Sequence, residues 1–223
     1  MKKEIFIIGS GGFAKEVAFL IEDINKSHKD EWIIRGFVNS QEKLGTQNGK
    51  YSVVTTDDEI SNSQENIFVA LGIGEPNLSK KIITKFKSNK NISFPNLLHP
   101  NFIGDIDGFK MGEGNIITSG NIFTTDIIIG SFNIFNLGCT LGHDAVIGDF
   151  NIFNPSVNLS GGVKISNQNL IGTGAQILQN ITFECDRVII GAGAVLSKNI
   201  NEPGVYIGIP AKKRDEKWAI NFT

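Results

Sequence analysis

Residues 115–150 read NIITSGNIFTTDIIIGSFNIFNLGCTLGHDAVIGDF. Cut every six residues from Asn115, the stretch becomes NIITSG, NIFTTD, IIIGSF, NIFNLG, CTLGHD and AVIGDF. The same frame runs on without insertion through NIFNPS, VNLSGG, VKISNQ, NLIGTG, AQILQN, ITFECD, RVIIGA, GAVLSK, NINEPG and VYIGIP, sixteen hexads in all. The third place is a large aliphatic or Phe in fifteen of the sixteen, and Asn201 alone interrupts the column. The fourth place favours Gly, Thr, Ser and Asn, and the first is often small or Asn, as at Asn133, Cys139, Ala145, Asn151, Ala175 and Gly193.

One inward side chain per six residues, followed by a small residue for a tight turn, predicts a parallel β-helix. Stacked coils bury the third-place side chains as a ladder and pair their backbones about 4.8 Å apart. If three hexads make one triangular coil, the repeat builds about five coils. The segment FIGDIDGFKMGEG before it is in register only from Phe109, so an irregular first coil is expected. Second-place residues alternate with the third and should face outward. Ile116, Ile122, Ile128, Ile134, Val146 and Ile152 occupy that place. Outward isoleucines call for a covering surface. A second subunit is the expected one, and a packed N-terminal domain is the alternative.

Upstream the period changes. Glu4–Ile8, Trp32–Val38 and Ile67–Leu71 read as short strands. Val17, Ala18, Leu20, Ile21 and Ile24 recur at helical spacing within residues 14–24, and residues 78–86 read as a second helix. Strands alternating with helices predict a small parallel sheet covered by helices. The fold class is therefore α/β plus all-β, a Rossmann-like domain over 1–91 followed by a β-helix with a C-terminal tail over 92–223.

Composition narrows the partners. The net charge of −2 shows no basic excess suited to a nucleic-acid backbone. No apolar run approaches the ~18 residues of a membrane span. The start MKKEIFIIGSGG reads as a buried first strand rather than an export signal, because its apolar run is short and Lys15 and Glu16 soon follow. The two cysteines, Cys139 and Cys185, form no CxxC pair and suit a reducing cytoplasm. Only His143 lies within the repeats, since His28 and His99 precede them, so a three-histidine zinc site is not expected there.

Uninterrupted hexads with aliphatic third places resemble the hexapeptide-repeat acyltransferases, whose fold is a left-handed β-helix. The layout is similar to one branch, the sugar acetyltransferases of the PglD/NeuD type. IIGSGGFAKEVAFLIED, RGFVNS, FVALGIGEPNLSKKI, FPNLLHPNFIG, GHDAVIGDFNIFNPSVNLSGGVKI, IGTGAQILQN, IIGAGAVLSK and IGIPAK occur in that family's order. The resemblance implies a homotrimer, with active sites between neighbouring helices and acetyl-CoA along the groove. It implies a nucleotide-sugar acceptor, no metal, and transfer to the 4-amino group of a deoxysugar. O-acetylation of a sialic acid is the alternative, and a non-catalytic nucleotide-sugar-binding scaffold is a further one.

The same resemblance implies roles for single residues. His143 falls at the fifth place of CTLGHD, near a corner, in the family's H-[DE]-x-x-I-G context. It would be the general base, since an imidazole titrating near neutrality can take a proton from an attacking amine or hydroxyl. Asp144 would hold its tautomer and raise its basicity; a solvated turn aspartate is the alternative. Asn136, Ile152, Gly161, Thr173, Gly191, Lys198 and Lys212 would line acetyl-CoA. Gly161 would offer its backbone N–H to the thioester carbonyl, and a required turn glycine is the other reading. The lysines, Lys213 with them, could equally be solvated. At Ile152 some relatives carry a second histidine. Neither cysteine is placed as a nucleophile.

The loop GSGGFA fits G-x-G-x-x-A between a strand and a helix, a phosphate cradle. As a sign of NAD it is weak, because Asn39 stands where an acidic residue would meet the ribose. The resemblance assigns Gly11, Gly12, Phe13, Asn39 and Gly72 to the nucleotide sugar. Many relatives have His at Phe13 and Asp at Asn39.

Overall fold

A computed structural model describes residues 3–27 and 32–214. The chain divides into two compact units, one of residues up to 100 with 113–116, the other of 101–112 with the residues from 117 on.

The first unit is built on β1 (Lys3–Ile8), α1 (Gly12–Ser27), β2 (Trp32–Val38), β3 (Gln47–Asn48), β4 (Tyr51–Thr55), α2 (Asp57–Ser61), β5 (Ile67–Leu71), α3 (Pro76–Phe86) and β6 (Ile92–Ser93). The sheet order is β3-β4-β2-β1-β5-β6. All its pairings are parallel except the β3–β4 hairpin. The predicted helical spacing is the buried face of α1, which seals Ala14, Val17, Ala18, Leu20, Ile21 and Ile24. Central β1 buries Ile5, Ile7 and Ile8 completely, as a strand covered on both faces must. The sequence pattern missed the hairpin and α2. A five-residue helix is too short to show a period, and a capping box between Thr56 and Glu59 holds it instead.

The second unit is the left-handed β-helix. Each hexad from Asn115 to Asn180 contributes a two-residue strand, and coil partners there lie eighteen residues apart, as in Ile122↔Thr140, Ile128↔Val146 and Ile134↔Ile152. Third-place residues from Ile117 through Ile177 are buried. Phe135 and Phe153 stack at 4.6 Å with planes 2° apart. Burying each such side chain is worth about 1.5–3 kcal/mol. The sixth place of every hexad from Gly120 to Asn180 takes a left-handed φ between +57° and +78°, whether or not it is glycine. That residue turns each corner. The first coil is irregular as expected: Ile103 pairs with Ile122, nineteen residues on, and a short 3-10 turn at Ile106–Gly108 takes up the excess.

Buried asparagines run up the first place at Asn115, Asn133, Asn151 and Asn169. The Asn151 backbone N–H donates to Asn133 Oδ1 at 2.9 Å, Asn169 repeats this to Asn151, and Val188 N–H closes the series on Asn169 Oδ1 at 2.8 Å. Each amide thus replaces a hydrogen bond that a tight corner cannot make, which is why a polar column is tolerated inside.

Two expectations need correction. The hexad frame is interrupted. Lys164↔Thr182 is still eighteen residues apart, but Ile171↔Ile190 and Ile177↔Leu196 are nineteen. The turn between Phe183 and Val188 absorbs one extra residue, and the left-handed corner moves to Arg187. Val188, Ile190 and Leu196 point inward where counting placed Ile189 and Val195. The next coil is shorter, with Phe183 bridged to Ile200, so buried Ile200 fills the place that counting gave to Asn201. The outward isoleucines also divide. Ile116, Ile134 and Ile152 are buried within the chain itself and need no second subunit, whereas Ile122 and Ile128 are 42% and 45% exposed.

Candidate active site

The corners of the helix form three edges, each tied by backbone bonds between successive coils. On one edge Asp144 N–H donates to Thr125 O at 3.2 Å, Gly162 N–H to His143 O at 2.8 Å and Asn180 N–H to Gly161 O at 3.0 Å. His143 and Gly161 therefore occupy the same place in consecutive coils. Lys198 continues that edge, because Gln176↔Val195 and Ile177↔Leu196 carry the register onward from Gln179. It stands three coils from His143, about 14 Å along the axis.

His143 is exposed, and its Nδ1 lies 2.7 Å from Asp144 Oδ2. Asp144 adopts φ +60°, the left-handed corner conformation that aspartate tolerates. The corner folds the carboxylate back onto the ring of the preceding residue. With Nδ1–H donated to Asp144, Nε2 is left as the free acceptor nitrogen. A Cβ at Gly161 would lie 2.5 Å from that Nε2.

A second edge carries other expected residues. Ser156 N–H donates to Leu137 O, Gly174 N–H to Pro155 O and Gly193 N–H to Thr173 O. Asn136, Thr173 and Gly191 belong to this edge, so one chain does not bring them to His143. Asn136 spends its Oδ1 on the Leu137 N–H at 2.9 Å. Gly191 has no room for a side chain, since a Cβ there would meet Ile207 Cγ2 at 2.7 Å. Lys212 is exposed, in the strand Lys212–Lys213 that pairs antiparallel with Tyr206–Ile207. Lys213 is bonded to Glu202. Ile152 is 3% exposed, between Ile134 and Leu170 in its sheet, and presents no surface to a ligand.

In the first unit, the glycine turn precedes the N-terminus of α1. Gly9 has φ +86°. A Cβ at Gly72 would strike Ile8 O at 2.5 Å and Ala14 Cα at 3.0 Å, so β5 approaches the loop only because this residue is glycine. Cβ atoms at Gly11 or Gly12 would meet nothing within 4 Å, so the turn faces open space at the helix start. Phe13 is half-buried beside it. Asn39 donates from Nδ2 to Ser10 Oγ at 2.7 Å, and Ser10 Oγ donates to Glu42 Oε1 at 2.7 Å.

Residues 4–86 match the PglD N-terminal domain family. Nearly the whole chain superposes on solved structures of this build. The acetyltransferase domain of PglB from Neisseria gonorrhoeae, solved with acetyl coenzyme A, is 26% identical, with a TM-score of 0.85 over 96% of this chain and 100% of that one. WeeI from Acinetobacter baumannii is 25% identical, with a TM-score of 0.82 over 96% and 100%. PerB from Caulobacter crescentus, solved with CoA and GDP-perosamine, is 25% identical, with a TM-score of 0.80 over 95% and 97%. The chain thus carries the PglD N-terminal domain over residues 4–86, and over nearly its whole length it resembles a solved acetyltransferase domain.

At the glycine turn the sequence reading missed one group. The carboxylate sought at the end of β2 stands three residues later, at Glu42, and reaches the loop through Ser10. Its signal was displaced, because the acid is separated from the strand by Asn39, Ser40 and Gln41. Cys139 is buried and its thiol is pushed up to about 12 by that burial, which removes it as a nucleophile at neutral pH. Burial and the neighbouring Asp186 also raise the Cys185 thiol. Among the described residues, no cluster of three or more His, Cys, Asp or Glu is placed to hold a metal ion. No described helix is long and apolar enough to cross a membrane.

Proposed function

We propose that the chain transfers the acetyl group of acetyl-CoA to the 4-amino group of a nucleotide-linked amino-deoxysugar. The observation that carries this reading is the exposed His143–Asp144 pair, with Nε2 free and a backbone N–H one coil away at Gly161. The amine nitrogen attacks the thioester carbonyl, and Nε2 of His143 takes its proton. The Gly161 N–H stabilises the oxyanion as charge moves to oxygen. The C–S bond then breaks, and the CoA thiolate leaves with the proton returned from the imidazolium. Attack is direct, with no acyl-enzyme, in keeping with the buried Cys139.

The open glycine turn at the start of α1 supplies backbone N–H groups for the sugar nucleotide's phosphates. Gly11, Gly12, Phe13, Asn39 and Gly72 border it. Lys198 and Lys212 are assigned to the CoA phosphates. Asn136, Thr173 and Gly191 lie on a different edge from His143, so the reading requires a neighbouring copy to bring them to the base. A homotrimer with shared sites meets that requirement. The solved neighbours support the reading, since PerB was solved with CoA and a GDP-linked sugar and the PglB domain with acetyl coenzyme A.

Thiol release from acetyl-CoA tests the proposal, with UDP-, dTDP- and GDP-linked 4-amino-deoxysugars and free sialic acids as acceptors. Turnover with one amino sugar, reduced about 10²–10⁴-fold in His143→Ala, is expected. Turnover with sialic acids alone would favour O-acetylation. Full activity in His143→Ala would remove His143 as the base.

A further inference from the structure

Gly161 stands at a fifth place, where the same edge carries Thr125, His143 and Gln179 and the other edges accept even Pro155. The backbone at that place has no need of glycine. The left-handed corner of this hexad is Gly162, at φ +70°, whereas Gly161 has no left-handed φ. The turn therefore does not explain why residue 161 lacks a side chain.

The space above it does. A Cβ on Gly161 would lie 2.5 Å from His143 Nε2, 2.6 Å from Cε1 and 3.0 Å from Cδ2. The imidazole lies across the bare backbone of the next coil, and its other face of contact is Asp144 Oδ2 at 2.7 Å on Nδ1. A side chain at 161 would push the exposed ring off this seat, and with it the nitrogen that Asp144 holds. Gly142 packs against the same backbone, since a Cβ there would meet Gly161 N at 2.5 Å, so the coil cannot withdraw to make room.

We infer that Gly161 is a positioning residue: its missing side chain is the seat that holds the His143 imidazole against Asp144 with Nε2 in a fixed place. The role is separate from the donor role of its N–H and rests on the reading of His143 as base only for its catalytic consequence. Alanine is the decisive substitution, because it keeps the N–H and suits the backbone conformation.

The test combines kinetics with ¹⁵N NMR of the imidazole in full-length protein. Gly161→Ala is expected to lower kcat about 10–100-fold with KM for acetyl-CoA within twofold of the parent, and to shift the pH profile. The His143 ring nitrogens should lose the signature of an Nδ1–H held by a carboxylate, as they should in Asp144→Ala. In a His143→Ala background, Gly161→Ala should cost nothing further. Gly162→Ala serves as the turn control and should lower Tm. An unchanged imidazole spectrum in Gly161→Ala would overturn the inference, whatever the kinetics. So would an equal loss of rate in the presence and absence of the histidine. If His143→Ala were fully active, the base assignment would fail, yet the spectrum would still decide the seat.

Discussion

The His143 imidazole and the Asp144 carboxylate face each other at 2.7 Å although they are sequence neighbours, because Asp144 sits at φ +60°. On a strand, adjacent side chains point to opposite faces; the left-handed corner brings these two to one side. Asp144→Asn keeps a residue that tolerates the corner but removes the charge that favours the imidazolium formed during transfer. It should lower kcat by about ten- to a hundredfold, less than loss of the base itself, because the pair is exposed and water screens it. Steady-state kinetics should show KM for acetyl-CoA nearly unchanged. A kcat equal to the parent's would mean that Asp144 only turns the corner.

At the glycine turn, Ser10 links two side chains: its hydroxyl accepts from Asn39 and donates its one proton to Glu42. Placing a carboxylate at 39 would set two acids on one hydroxyl. Asn39→Asp should therefore raise KM for the sugar nucleotide several-fold, and Glu42→Gln added to it should restore much of the loss. Independent, additive effects would show that the two side chains do not share Ser10.

Much of this was legible in the sequence. The third-place column required only that one large side chain per six residues point inward, and the hydrophobic cost of breaking it is felt at every coil. The slip after Phe183 was hidden because Val188, Ile189 and Ile190 are all aliphatic, so either frame puts an acceptable residue inside. His143 stood out as the repeat's one histidine, but its separation from Asn136, Thr173 and Gly191 appears only when hexads are counted in threes. The reason for Gly161 could not be read from its own hexad, since the clash lies with a ring eighteen residues earlier.

Glu22 on α1 gives the first unit a pH dependence with a definite sign. Its carboxylate accepts from Lys50 Nζ at 2.7 Å and from Tyr51 OH at 3.0 Å. The Lys50 bond holds its pKa below the usual value against the opposing effect of burial. A group whose folded pKa is depressed stabilises above its unfolded pKa and loses that contribution as pH falls through the folded value. The difference in Tm between the parent and Glu22→Gln should therefore be largest near neutrality and shrink below about pH 4. Tyr51 has the opposite sign: burial, then the Glu22 contact, push it up to about 12. Its contribution should persist through pH 10 and fade above. A parent and Glu22→Gln that lose stability in parallel from pH 7 to 3 would sink the account.

The asparagine column suggests a stabilising change. Asn121 is buried, donates from Nδ2 to Thr118 O at 2.8 Å, and its Oδ1 has no hydrogen-bond partner. One coil on, the same place holds Cys139, whose thiol points to Asn154 O at 3.3 Å and cannot serve Asn121. On the neighbouring column the coil-on residue is Asn151, which donates twice to Asn133 Oδ1. Cys139→Asn is nearly equal in volume and should repeat that arrangement, with the Val157 backbone placed to close the series as Val188 closes the other. Satisfying a buried acceptor is worth about 1–3 kcal/mol, so Tm should rise by several degrees. Native thiol titration checks the premise: the parent should expose only Cys185 to a thiol reagent at neutral pH, because burial keeps Cys139 protonated. A lower Tm in Cys139→Asn would mean that the new amide is left as unpaired as the old one.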